Sequence, residues 1–155
     1  MPFRITALPR APFAHLFALS DEALLPYRAR RVVAAPGLGY PCRVSLVDAQ
    51  PGETVVLVHH EHQAADTPFR ASHAIYVRET AEHAHPAPGE VPAMFRTRLL
   101  SLRGFDAAGM MLAADAVAGV ALEPALDAML SDPAVAYVHL HFAKPGCYAA
   151  RVDRA

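Results

Sequence analysis

The stretch AVAYVHLHF, Ala134 to Phe142, constrains this chain more than any other. It alternates, and a β-strand sends successive side chains to opposite faces. Ala136, Val138, Leu140 and Phe142 then share one face, and Tyr137, His139 and His141 share the other. The first is a core face. The second either meets water or lines a cleft. The return segment CYAARV, Cys147 to Val152, sets the parity. Burying an unpaired guanidinium is costly, so Arg151 belongs away from the core. An odd loop through Lys144-Pro145-Gly146 satisfies this, with Gly146 as the left-handed residue of a bulged hairpin. Tyr148 and Val152 are then expected beside Leu140 and Phe142. Cys147 and Arg151 are expected beside His139 and His141. The hairpin would carry a Tyr-His-His-Cys-Arg patch on one face.

The rest of the chain supplies strands to continue that sheet. FRITAL (Phe3 to Leu8) and RRVVAA (Arg30 to Ala35) are β-leaning, and Pro36-Gly37 stops the second. Gln50-Pro51-Gly52-Glu53 has proline and glycine where a type II turn wants them. TVVLVHHEH (Thr54 to His62) is apolar on both faces from Val55 to Val58, which predicts a central strand. SHAIYVRE (Ser72 to Glu79) follows, then a proline-rich surface loop from Ala81 to Pro92. Phe95 to Arg103 and Met110 to Val117 read as a hairpin turning at Asp106-Ala-Ala-Gly109. Ser20 followed by Asp21 and Glu22 marks a short helix start. Leu122 to Leu130 reads as an amphipathic helix with Leu122, Leu126, Met129 and Leu130 on one face. The sum is an α+β fold, a single domain over residues 1–155, with a mostly antiparallel sheet of about seven strands and two short helices.

Composition narrows the function classes. The chain is 54% hydrophobic and 19% charged, which is globular. A net charge of -1 gives no basic excess for nucleic acid. No apolar run reaches the roughly 20 residues of a membrane helix. Prolines at 2, 9 and 12 and arginines at 4 and 10 interrupt the N-terminal segment, so a signal peptide is not expected. The expectation is a cytoplasmic protein with Cys42 and Cys147 as thiols. The Ala, Arg and Pro content suggests a bacterial, GC-rich source. With nine histidines the chain is histidine-rich and its charge sensitive to pH.

His139 and His141 on alternate strand positions can aim two imidazoles at one ion. Zinc takes such nitrogens at about 2.0 to 2.1 Å and needs two further ligands. Cys147, or His60 and His62 from the VHHEHQ cluster, would supply them. The cofactor under this reading is a divalent transition metal. The plainer reading is hydrogen-bonded or exposed histidines on a sheet. Cys147 near a histidine and Arg151 also fits an activated thiol, and Cys42-Arg43 invites the same thought. No C-x-x-C pair, H-E-x-x-H or glycine-rich phosphate loop is present. Arginines suit carboxylate or phosphate ligands, or else solvated surface.

YPCRVSLVDAQPGE (Tyr40 to Glu53), HQAADTPFRASHAIYVRE (His62 to Glu79) and AYVHLHFAKPGCYAARVDRA (Ala136 to Ala155) resemble the bacterial family called domain of unknown function 1203. The resemblance covers nearly the whole chain. It implies one family domain and supplies no activity, cofactor or catalytic residue. The family pattern puts a polar residue after the second histidine of H-x-H, where this chain has Phe142. Its blocks hold Cys42, Arg43, His73, His139, His141, Cys147 and Arg151.

Three readings follow. One is a small-ligand protein, for an anion or small molecule, or an enzyme of unknown class, using Tyr137, His139, His141, Cys147 and Arg151 with Cys42, Arg43 and His73 nearby. The second is a metal-binding protein through His139-x-His141. The third is a non-catalytic interaction or assembly module whose sheet face is an interface, with a homo-oligomer as one outcome.

Overall fold

The computed structural model describes residues 2–37 and 39–155. Its eight strands are β1 (Phe3–Thr6), β2 (Ala29–Val33), β3 (Thr54–Gln63), β4 (Ala71–Arg78), β5 (Leu99–Phe105), β6 (Met111–Ala118), β7 (Tyr137–Phe142) and β8 (Tyr148–Arg154). They form two antiparallel sheets, one ordered β1-β8-β7-β5-β6 and one ordered β2-β3-β4. Short helices α1 (Ala11–Ala14), α2 (Asp21–Leu24), α3 (Ala93–Arg96) and α4 (Leu122–Leu130) fill the connections. The α+β expectation stands, with the strands divided between two sheets rather than one.

Local chemistry explains most boundaries. Ser20 is extended, and its side chain accepts from the Ala23 amide, with Asp21 and Glu22 in the first turn of α2. Gly52, at φ +89, turns the chain into β3. β3 is central in its sheet, as its apolar run predicts. One segment departs from expectation. Residues Ala93–Arg96 are a helical turn, and the strand begins only at Leu99. Met94 and Phe95 are both buried, so packing decides what β-propensity does not.

The core face of the large sheet carries Leu100, Leu102, Val138, Leu140 and Val152, and α4 covers it with Leu122, Leu126 and Leu130. Fully burying each leucine stabilises by about 1.5–3 kcal/mol. Gly104 permits the close approach, because a Cβ there would meet Met129 Sδ at 3.0 Å. Among the described residues no helix is long and apolar enough to cross a membrane.

The hairpin of β7 and β8 corrects the parity argument. The Phe142 amide donates to the Cys147 carbonyl at 2.9 Å, and the Gly146 amide donates back to Phe142 at 2.8 Å. The connection is therefore Ala143 to Gly146, an even loop, with Gly146 at φ +80. Val138 faces Val152, His139 faces Arg151, Leu140 faces Ala150, and then His141 faces Tyr148. The skipped residue is Ala149, a β-bulge. An even loop followed by a bulge returns Arg151 and Val152 to their expected faces. It puts Tyr148 on the histidine face and Cys147 on the opposite one, with Phe142. Both placements reverse the sequence expectation.

Candidate functional site

The histidine face is assembled from strand register. Phe105, Arg103 and Ser101 of β5 stand opposite Tyr137, His139 and His141 of β7. Tyr148 and Arg151 of β8 complete the face. The C-terminal half of β3 lies over it, because a strand of ten residues outruns its own β2 partner, which reaches only Val58. His62 thereby meets the large sheet. Its ring lies 4.8 Å from His141 and 6.3 Å from His139, centroid to centroid. Tyr148 stacks on His62 at 5.6 Å and 4° and presents its ring edge-on to His139 and His141. One ring nitrogen from each of His62, His139 and His141 lies within 4.8 Å of the others.

Their protonation follows from burial. His139 is 4% exposed and His141 is fully buried. Desolvation, reinforced by like charge on neighbouring groups, pushes both rings down to about 3 and His62 down to about 4. All three are neutral at pH 7. His141 Nδ1 lies 3.0 Å from the Gly146 carbonyl, an acceptor, so Nδ1 carries the proton and Nε2 the lone pair. That Nε2 is buried without a hydrogen-bond partner, as are Nδ1 of His62 and Nδ1 of His139. Leaving a buried polar nitrogen unpaired costs about 1–3 kcal/mol. Three such nitrogens in one place are a liability that a bound group would relieve.

His60 does not join them. It sits one pleat back on β3, beside Phe13 at 5.9 Å and Tyr148 at 6.1 Å. Its ring nitrogens are not among those that converge within 4.8 Å of one another. Tyr137 stays at the rim, where its hydroxyl accepts from Gln63 Nε2 at 2.9 Å. Arg151 covers the Tyr137 ring at 4.1 Å and is paired with Asp153 at 2.8 Å. Arg103, which pairs in register with His139, is half-buried with only a 3.5 Å contact to Ser101 Oγ.

The remaining candidates lie elsewhere. Cys147 does not approach the histidines, since the bulge turns it to the other face. There it accepts from Arg43 Nη2 at 2.9 Å. Arg43 sits on a tight loop closed by the Leu46 amide on the Cys42 carbonyl at 3.0 Å, with Leu46 forced to φ +54 and buried in the core. Cys42 is fully buried, and its sulfur accepts from the backbone amides of Ser45 and Arg78. It is a structural acceptor. His73 is exposed on the edge strand β4, where it pairs with His60. Phe142, the departure from the family pattern, lies 5.0 Å from Arg43 Cζ and 5.1 Å from Arg98 Cζ. An aromatic ring suits two guanidiniums better than a small polar group would. Tyr148 and Arg103 were not anticipated as neighbours of the histidines. A bulge has no signature in CYAARV, and Arg103 lies in an ordinary strand.

The chain belongs to the family described as Protein of unknown function (DUF1203), whose pattern matches residues 39–154. That span contains His62, His139, His141, Arg43 and Cys147. No curated protein and no solved structure matches the chain.

Proposed function

We propose that this chain is a divalent transition-metal-binding protein, with His62, His139 and His141 as ligands. The observation that carries the reading is the convergence of three neutral rings, each with a buried and unpartnered nitrogen. Burial has already removed the proton that would compete with the metal, so binding at neutral pH displaces none. The Gly146 carbonyl orients His141 in the manner of an outer ligand partner. In a tetrahedral zinc site, nitrogens at about 2.0–2.1 Å from the ion stand about 3.4 Å apart. The separations here, at most 4.8 Å, would need to contract by up to about 1.4 Å through side-chain rotation.

Three histidines leave one tetrahedral position open, which is the pattern of a catalytic rather than a structural site. An ion there lowers the pKa of a water it holds, or polarises a carbonyl or phosphoryl oxygen. No carboxylate joins the cluster, and Arg103 adds positive charge to all three rings. That field opposes a bare cation and favours an anion at the open position. Tyr148 stays a neutral phenol, since burial pushes its pKa well above the ordinary value.

The test is elemental mass spectrometry on the purified, untagged protein. About one zinc or other transition-metal ion per chain is expected, falling to background in His62→Ala and in His141→Ala, and unchanged in His60→Ala. A folded protein that carries no metal and takes none up in a zinc titration would refute the reading.

A further inference from the structure

Behind the hairpin, on the face away from the three histidines, Arg43 poses a separate problem. Its side chain is 1% exposed. Nε donates to the Tyr148 carbonyl at 2.7 Å, Nη1 to the Pro41 carbonyl at 2.5 Å, and Nη2 to Cys147 Sγ at 2.9 Å. None of these acceptors is a carboxylate. A buried charge without a counter-charge is expensive, and desolvation accordingly opposes the charged form. A guanidinium has five N–H donors. Three are engaged here, and each terminal nitrogen keeps a second.

Arg43 lines a cavity of about 460 Å³. That is inside the range of pockets for small ligands, about 300–1,000 Å³. No Asp or Glu lines it. Lys144 stands exposed at its edge, and Arg98, also in the wall, is already neutralised by a bidentate pair with Asp48. Leu57, Leu99 and Phe142 make much of the remaining wall apolar. A buried cation that meets only carbonyls, a sulfur and the Phe142 ring, and no carboxylate, at the base of an apolar cavity asks for an anion with an apolar body.

We propose that this cavity binds a small organic monocarboxylate. The carboxylate takes the free N–H groups of Arg43, a match of planar fork to planar acceptor. The hydrocarbon lies along Leu57 and Leu99. Lys144 adds long-range attraction. This site is independent of the metal reading, because it shares none of the three histidine ligands.

Cys147 provides a local reporter. It lines the cavity at 7% exposure, whereas Cys42, the other thiol of the chain, is fully buried. The experiment titrates the full chain with monocarboxylates from propanoate to decanoate, each beside its primary amide, by calorimetry. Iodoacetamide labelling of Cys147 is followed in parallel. At least one acid of the series is expected to bind tenfold or more tighter than its amide and to slow Cys147 alkylation. Arg43→Gln risks the fold, so two surface variants carry the test. Lys144→Gln should weaken binding severalfold. Leu99→Trp, at a position 46% exposed on the cavity wall, should abolish it with the circular dichroism unchanged. Equal binding of acid and amide would overturn the proposal. So would a series in which no acid binds, or tight binding that survives Leu99→Trp. Protection of Cys147 by inorganic phosphate but by no carboxylate would overturn it too.

Discussion

At the scale of single residues, the three histidines trade stability for a binding capacity. His62, His139 and His141 each bury a nitrogen that nothing satisfies. Replacing such a group by an apolar one of similar shape removes the cost rather than adding one. His139→Leu is therefore expected to raise the stability of the metal-free protein by about 1 kcal/mol in urea denaturation, while lowering zinc affinity at least about tenfold. A destabilised metal-free variant would mean that the imidazole packs better than it hydrogen-bonds. Gly119 is a residue of the opposite kind. A Cβ there would meet the Phe95 carbonyl oxygen at 1.7 Å, a contact no rotamer can relieve. Gly119→Ala is expected to cost about 1–3 kcal/mol, read from the urea midpoint.

At the scale of elements, the bulge at Ala149 decides which chemistry meets which. Upstream of it, Tyr148 joins the histidines and Cys147 joins Arg43. Downstream, Arg151 faces His139. Deleting Ala149 would restore plain alternation with Tyr148 still opposite His141 and Ala150 opposite Leu140. The deletion is expected to keep the stack on His62 and the zinc uptake, at a cost of about 1–3 kcal/mol from repacking the strand. Loss of zinc binding in a folded deletion variant would show that the bulge itself, and not only the face Tyr148 takes, shapes the centre. The alternation of AVAYVHLHF was legible because a strand paired on both sides has no freedom to break its period. The parity of CYAARV was not, because a bulge costs little in sequence and is set by what the two faces must pack against.

At the scale of the whole molecule, the buried rings make stability depend on pH. An unfolded histidine titrates near 6.5, and the folded rings are pushed to about 4 for His62 and about 3 for His139 and His141. The unfolded chain thus takes up protons first as pH falls. The contribution is fully present above about pH 6.5 and is lost progressively down to about pH 3. Each ring adds a slope of up to about 1.4 kcal/mol per pH unit in that window. The lowered pKa values of Glu53 and Glu123, paired with Arg78 and Arg96, act only as pH falls below the ordinary 4.5. A fall in unfolding free energy between pH 6.5 and 5 is therefore the signature of the histidines. A flat profile there would show that the rings are hydrated and free to protonate.

The sequence by itself determined the strands, the central place of β3, the helix from Leu122 to Leu130, and the pairing of His139 with His141 on one face. Those follow from period and propensity, which are local. The third histidine, the company of Tyr148 and the separation of Cys147 from the cluster were decided only by the tertiary structure. Which of His60 and His62 meets the large sheet depends on where one sheet crosses another. Which face Cys147 takes depends on one extra residue in a strand. Neither leaves a local trace, because both are settled by packing between segments far apart in the chain, 104 residues apart for Arg43 and Cys147.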